Sequence, residues 1–173
     1  MVCYINFSID GRDLMINEDN PDDVKMWRTH RRGKLKKPYW NQLKIKTDPR
    51  GYKSISIDPK LYRLHRVNYF AHNQSWDIHD TSKNNQIDHK KDKDDLPKHQ
   101  FNNIENLRVV TCQENQFNRN CKGYYFHKPS QKWLAQIRVK GKNKHLGLFE
   151  KEEDARQAYL TAKEIYHTIQ IRK

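Results

Sequence analysis

Asp88 and His89 stand side by side, followed by the run Ile104-Glu105-Asn106-Leu107-Arg108 and then by Glu114-Asn115-Gln116. Asn115 lies nine residues after Asn106. A protein that holds one divalent cation against a phosphodiester needs a hard oxygen ligand, a base that is neutral near physiological pH, and a second oxygen ligand. Such groups occur here in order. An imidazole titrates near neutrality and can take a proton from water, worth roughly a hundred- to ten-thousandfold in rate. Carboxylate and carboxamide oxygens suit Mg2+ or Mn2+ and leave coordination positions for water and phosphate.

Periodicity and capping define the elements that must position these groups. Residues 51–57 alternate with a period of two, turn at Asp58-Pro59 and resume at Leu61 to Leu64, the pattern of a hairpin. Leu64, Val67, Phe70 and Ala71 then recur at helical spacing and predict a short helix. His65 and Arg66 sit at that junction, in structural or phosphate-contacting places. Residues 73–85 read as a polar connection anchored by Trp76 and Ile78. Gln86 to His89 and Leu107 to Val110 read as short strands flanking a charged loop. Thr111 and Glu114 make a capping box that opens a helix over about Cys112 to Arg119. Adjacent strand residues face opposite ways, so Asp88 and His89 can serve one centre only from a strand end or a bulge.

With the hairpin, Leu64-His65-Arg66, the Asp-His pair, the Asn-x-x-Glu-Asn-Leu run from Asn102 to Leu107 and Glu114-Asn115 in this order, Gly51 to Asn118 resembles the HNH nuclease module of phage-type homing endonucleases. Gly123 to Tyr166 is similar to an AP2-type DNA-binding domain, and the two stretches cover about two-thirds of the chain. The resemblance implies that His89 is the general base and that Asp88 and Asn115 hold one Mg2+ (or Mn2+). Asn106 would hold the loop and His89 in position. It further implies hydrolysis of double-stranded DNA to 5′-phosphate and 3′-hydroxyl ends, long and loosely read target sites, and origin in a mobile phage element. One departure is the loop from His89 to Asn106, longer than usual and carrying Asp92, Asp94 and Asp95. It leaves the alignment of Asn102 and Asn103 open. The acidic run reads as a solvated loop before it reads as a second cation site.

Tyr124 to His127, Lys132 to Lys140 and Asn143 to Leu148 predict three antiparallel strands, and Glu150 to His167 an amphipathic helix with Ala155, Ala158, Tyr159, Ala162, Ile165 and Tyr166 on one face. A small sheet of this kind fits a major groove. Strand alternation turns Ala135, Ile137 and Val139 toward the helix and Gln136, Arg138 and Lys140 outward. By family position, Tyr125, His127, Asn143 and His145 also face out, and Lys122 precedes the sheet at an often basic place. Gln136 and Asn143 could read adenine and Arg138 guanine, each contact worth about 1–3 kcal/mol. A polar face touching only backbone is the competing possibility for any one of them.

Composition agrees with a polyanionic partner. Lys and Arg number 34 against 21 Asp and Glu, a formal charge of +13 with a pI near 9.6, and each phosphate neutralised would release counterions. The basic stretch Lys25 to Lys53, with Arg31, Arg32 and Lys36 among Trp27, Tyr39 and Trp40, is a candidate backbone track. A hydrophobic share of 35% and a mean hydropathy of -1.16 predict no large single core. Cys3, Cys112 and Cys121 form no C-x-x-C pair, so neither a disulfide framework nor structural zinc is expected. No apolar run approaches a membrane span and Met1 to Asp13 lacks signal-peptide character, which predicts a soluble, cytoplasmic protein.

The expected architecture is α+β: a ββα-metal (HNH) core, then a three-stranded antiparallel sheet backed by one helix. The expected segments are a DNA-contacting basic region at 1–50, the nuclease at 51–121, the AP2-like domain at 122–167 and a tail at 168–173. Monomer and dimer are both open, because one centre nicks and two cut both strands. The rival functions are a non-catalytic, sequence-specific DNA-binding regulator on the same fold, and an RNA-binding or RNA-processing protein.

Overall fold

The computed structural model describes residues 2–29, 37–91, 95–97, 100–117 and 121–169. Among the described residues the chain is mixed α+β, built from several small antiparallel sheets and three α-helices. It divides into two compact units, residues 1–109 and 110–173.

In the first unit β1 (Tyr4–Ile9) and β2 (Arg12–Asn17) pair about Asp10-Gly11. Both turn residues have positive φ, 51° and 70°, as a tight two-residue hairpin requires. With β3 (Val24–Arg28) and β4 (Tyr39–Gln42) they form a sheet in sequential order. Phe7, Ile9, Leu14, Ile16, Val24 and Met26 alternate onto its buried face. Against that face lie β6 (Lys53–Ile57), β7 (Lys60–Arg63) and α1 (Leu64–His72), which add Ile55, Ile57, Leu64, Val67 and Ala71 to the same core. β5 (Ile45–Thr47) extends the β6–β7 hairpin into a three-stranded sheet. The low apolar share predicts no core of this extent. One forms because the few apolar residues fall consistently on the inward side of each element, and residues 1–50 share it with the hairpin and helix that follow.

β8 (Gln86–His89) and β9 (Leu107–Val110) pair as a two-stranded sheet, with the bounds that the sequence predicts. Arg66 at the start of α1 ties down the connection leading into β8. Its guanidinium donates to the carbonyls of Ile78, Asp80 and Asn85 and lies over the Trp76 ring.

The second unit opens with α2 (Cys112–Phe117). The sheet of β10 (Tyr124–His127), β11 (Lys132–Val139) and β12 (Lys142–Phe149) follows, and then α3 (Glu152–Tyr166). These match the expected strands and helix to within a residue or two at their ends. Ala155, Tyr159 and Ala162 of α3 are buried, and Tyr159 and Ala162 join Ile137 of β11 in the core. Gly123 permits the close approach, since a Cβ there would lie 1.9 Å from the Tyr159 ring. Cys3, Cys112 and Cys121 are free thiols. No helix among the described residues is long and apolar enough to cross a membrane.

Candidate functional site

His89 is the last residue of β8, and both it and Asp88 are more than nine-tenths buried. Three groups surround the His89 imidazole. Phe101 stacks on it with ring centroids 3.9 Å apart and planes 4° from parallel. His65, near the start of α1, meets it edge-on at 5.2 Å. Asn102 places Oδ1 3.0 Å from Nε2. An Nε2–H donating to that carboxamide oxygen fixes the neutral tautomer in which Nδ1 carries the lone pair. Asn102 is itself held, its carbonyl accepting from the buried Asn68 of α1 at 2.6 Å. The ring is thus fixed in orientation by stacking and in tautomer by a hydrogen bond.

His65 adds no competing charge. Burial, and after it the neighbouring His89, Arg66 and Arg63, push its pKa down to about 3. It remains neutral at physiological pH and acts as a wall of the site. Tyr52, 6.0 Å from His65 and 6.4 Å from His89 between ring centroids, forms the partly exposed rim.

Asn106 braces the loop that carries Phe101 and Asn102. Its Nδ2 donates to the carbonyls of Lys91 and Phe101, and its Oδ1 accepts the Lys91 N–H at 2.8 Å. Both ends of the loop are thereby tied to one carboxamide, supplemented by the backbone bond from Lys90 N–H to the Asn106 carbonyl. Asp88, 7% exposed, receives two hydrogen bonds on Oδ2 from Arg108 of β9, from Nε at 3.0 Å and Nη2 at 2.8 Å. Asp92 and Asp94 lie outside the described residues.

Asn115 belongs to the second unit, on α2. That helix is opened by a reciprocal cap: Thr111 N–H and Oγ1 donate to the Glu114 carboxylate, and Glu114 N–H returns a bond to Thr111 Oγ1. Among the described residues no group of three or more His, Cys, Asp or Glu is placed to hold a metal ion. The Asp88 carboxylate and the Asn115 carboxamide are each hard oxygen donors, which match Mg2+ or Mn2+ in chemistry.

On the three-stranded sheet, Gln136 lies opposite His145 and Arg138 opposite Asn143. Tyr125 and His127 pair with Leu134 and Lys132, two and four residues before Gln136. All six predicted contact residues therefore share one face by strand period. Arg138, Asn143, His145 and Tyr125 are exposed, whereas Gln136 and His127 are partly covered. His127 Nδ1 is hydrogen-bonded with Ser130, and Arg138 Nε donates to the Gly141 carbonyl. Lys122 is exposed, with Glu152 3.7 Å from its ammonium. Arg31, Arg32 and Lys36, expected to touch DNA, lie outside the described residues, as do Asn118 and Arg119. Tyr39 and Trp40, beside that stretch, are exposed, and Trp40 packs against Trp27 across β3 and β4 at 5.2 Å.

Asn102, Phe101, His65 and Arg108 were not predicted as site residues. Arg108 falls within the Ile104–Arg108 run, and the sequence gives His65 a structural or phosphate-contacting place. Asn102 opens the Asn-x-x-Glu-Asn-Leu run, with its alignment left open by the longer loop, and nothing in the spacing points to Phe101. No family model, curated protein or solved structure matches the chain.

Proposed function

We propose that the chain is a divalent-metal-dependent endonuclease of the HNH type that hydrolyses phosphodiester bonds in double-stranded DNA. His89 is its general base, Asp88 and Asn115 are the ligands of one Mg2+ or Mn2+, and the AP2-like sheet reads the target. The observation that supports this best is the setting of His89: next to a buried carboxylate, stacked on Phe101, and donating Nε2–H to Asn102. A histidine filling space needs neither a fixed tautomer nor an adjacent acid, and a general base gains from both.

Each residue has a defined task. Asn102 keeps the proton on Nε2, so that Nδ1 accepts one from the attacking water. Phe101 and the neutral His65 exclude solvent from the flanks of the ring and hold its plane. Asn106 keeps the loop closed over the site. A bound divalent cation would stabilise charge on the phosphoryl group and on the departing 3′ oxygen. The excess of lysine and arginine draws the duplex to the protein, and the outward face of β10–β12 supplies groups capable of base contacts. The cellular setting that goes with this activity is the cytoplasm of a bacterial host, and the source a mobile phage element.

Plasmid DNA, structured RNA and single strands, each offered with Mg2+ and with chelator, test the proposal. Nicked or linear plasmid in Mg2+ alone is expected. Tight duplex binding without any cleavage in Mg2+ or Mn2+ would make the protein a regulator instead, and cleavage confined to RNA would overturn the substrate.

A further inference from the structure

Arg108 and a divalent cation have the same use for Asp88. The arginine directs both Nε and Nη2 at Oδ2, at 3.0 and 2.8 Å, with the Asp88 side chain 7% and the Arg108 side chain 25% exposed. A carboxylate buried to this degree is costly unless a positive group compensates it, and a forked guanidinium is the strongest partner the side chains offer. Mg2+ on that carboxylate would sit about 2.0–2.1 Å from an oxygen. Two extra positive charges would then lie within a few ångströms of the guanidinium, where repulsion is large at the dielectric of a half-closed site.

From this we infer that Arg108 is a built-in placeholder for the metal: its guanidinium occupies Asp88 in the metal-free protein and must let go when the ion binds. The inference rests on the nuclease reading of Asp88 as a metal ligand. It assigns Arg108 a second function as well. The residue holds the Asp88 carboxylate in place through two hydrogen bonds to Oδ2 before the ion arrives. It also sets the ion affinity of the free protein below what the ligands alone would give. Arg108 departs from Asp88 still charged and still on β9, so a phosphate oxygen becomes its next available partner.

The test is Mn2+ binding to the full-length, DNA-free protein, followed by loss of the free-ion paramagnetic resonance signal. Wild type, Arg108→Gln, Asp88→Asn and the double variant are compared. Arg108→Gln should bind Mn2+ on the order of tenfold more tightly than wild type, the scale set by removing one nearby charge. Asp88→Asn should reduce binding in both backgrounds. Equal or weaker binding by Arg108→Gln, with Asp88 still required, would overturn the placeholder while leaving the metal site standing. Binding that ignores Asp88 in both backgrounds would overturn the metal site itself, and the placeholder with it. A second measurement uses the wild-type protein alone. The Arg108 Nε–H resonance, assigned through its side chain, should shift as Mg2+ saturates the protein, and a resonance that does not move would also overturn the placeholder.

Discussion

At the scale of single residues, the candidate site depends on groups that fix one ring. Asn102→Ala removes the acceptor for His89 Nε2–H and should lower the cleavage rate by about tenfold to a hundredfold, the usual consequence of losing such an orienting partner. KM and the circular dichroism spectrum should hold, and Asn102→Asp, which retains an acceptor, should recover part of the rate. An unchanged rate in Asn102→Ala would show that the bond does not position the base. His65 gives a prediction in pH. Folded, it takes a proton only below about 3, against an ordinary value of 6.5. Between those values the unfolded chain binds more protons, so stability falls as pH drops through that window. Asp10 and Asp48, held low by bonds from Tyr62 and Arg63, lose their contribution only as pH falls below 3.8. Urea midpoints from about pH 4 to about 7 should thus decline toward acid in the wild type and decline less in His65→Gln. Equal slopes would place the acid sensitivity elsewhere. Asp88, His89 and Asn106 stand out in the sequence because their order is itself a pattern. The bond of Asn102 to His89 could not be read there, since it depends on tertiary contacts that no local pattern encodes. Nor could the partner of Arg108, which only the pairing of β8 with β9 reveals.

At the scale of elements, short strands and helices were recoverable wherever period and cap agreed. Gln86–His89, Leu107–Val110 and the Thr111–Glu114 cap are of this kind, and so is the whole β10–β12 sheet with α3. The sheet of β1–β4 is not legible in the same way, for a physical reason. Its strands are short, and their polar alternate positions lower the local hydropathy. The basic run after Lys25 then makes the region look like solvated surface. Yet Ile5, Phe7 and Ile9, then Leu14 and Ile16, alternate about an Asp-Gly turn, the strongest short hairpin pattern. In the second unit Gly123 is the tightest packing constraint. Gly123→Ala drives a Cβ into the Tyr159 ring and should destabilise this unit by about 1–3 kcal/mol. Hydrogen exchange should quicken in β10, β11 and α3 while the core of the first unit keeps its protection. Wild-type exchange across the variant would mean that the ring moves aside without cost.

At the scale of the whole molecule, a formal charge of +13 is what the proposed function would use, since a protein bound to DNA under that proposal would be held chiefly through phosphates. If it makes about six to ten such contacts, duplex affinity should fall by about 10³–10⁵ between about 50 and about 200 mM salt. An affinity indifferent to salt would remove the electrostatic basis for the DNA assignment. The central claim is narrower, that His89 activates water. Its most direct test is single-turnover nicking of supercoiled plasmid in Mg2+ by wild type and by His89→Ala, with duplex affinity measured alongside. The expected outcome is a rate lowered by about 10²–10⁴ with affinity unchanged within a factor of about two. Nicking by His89→Ala at the wild-type rate, or a parallel loss of rate and binding, would contradict it.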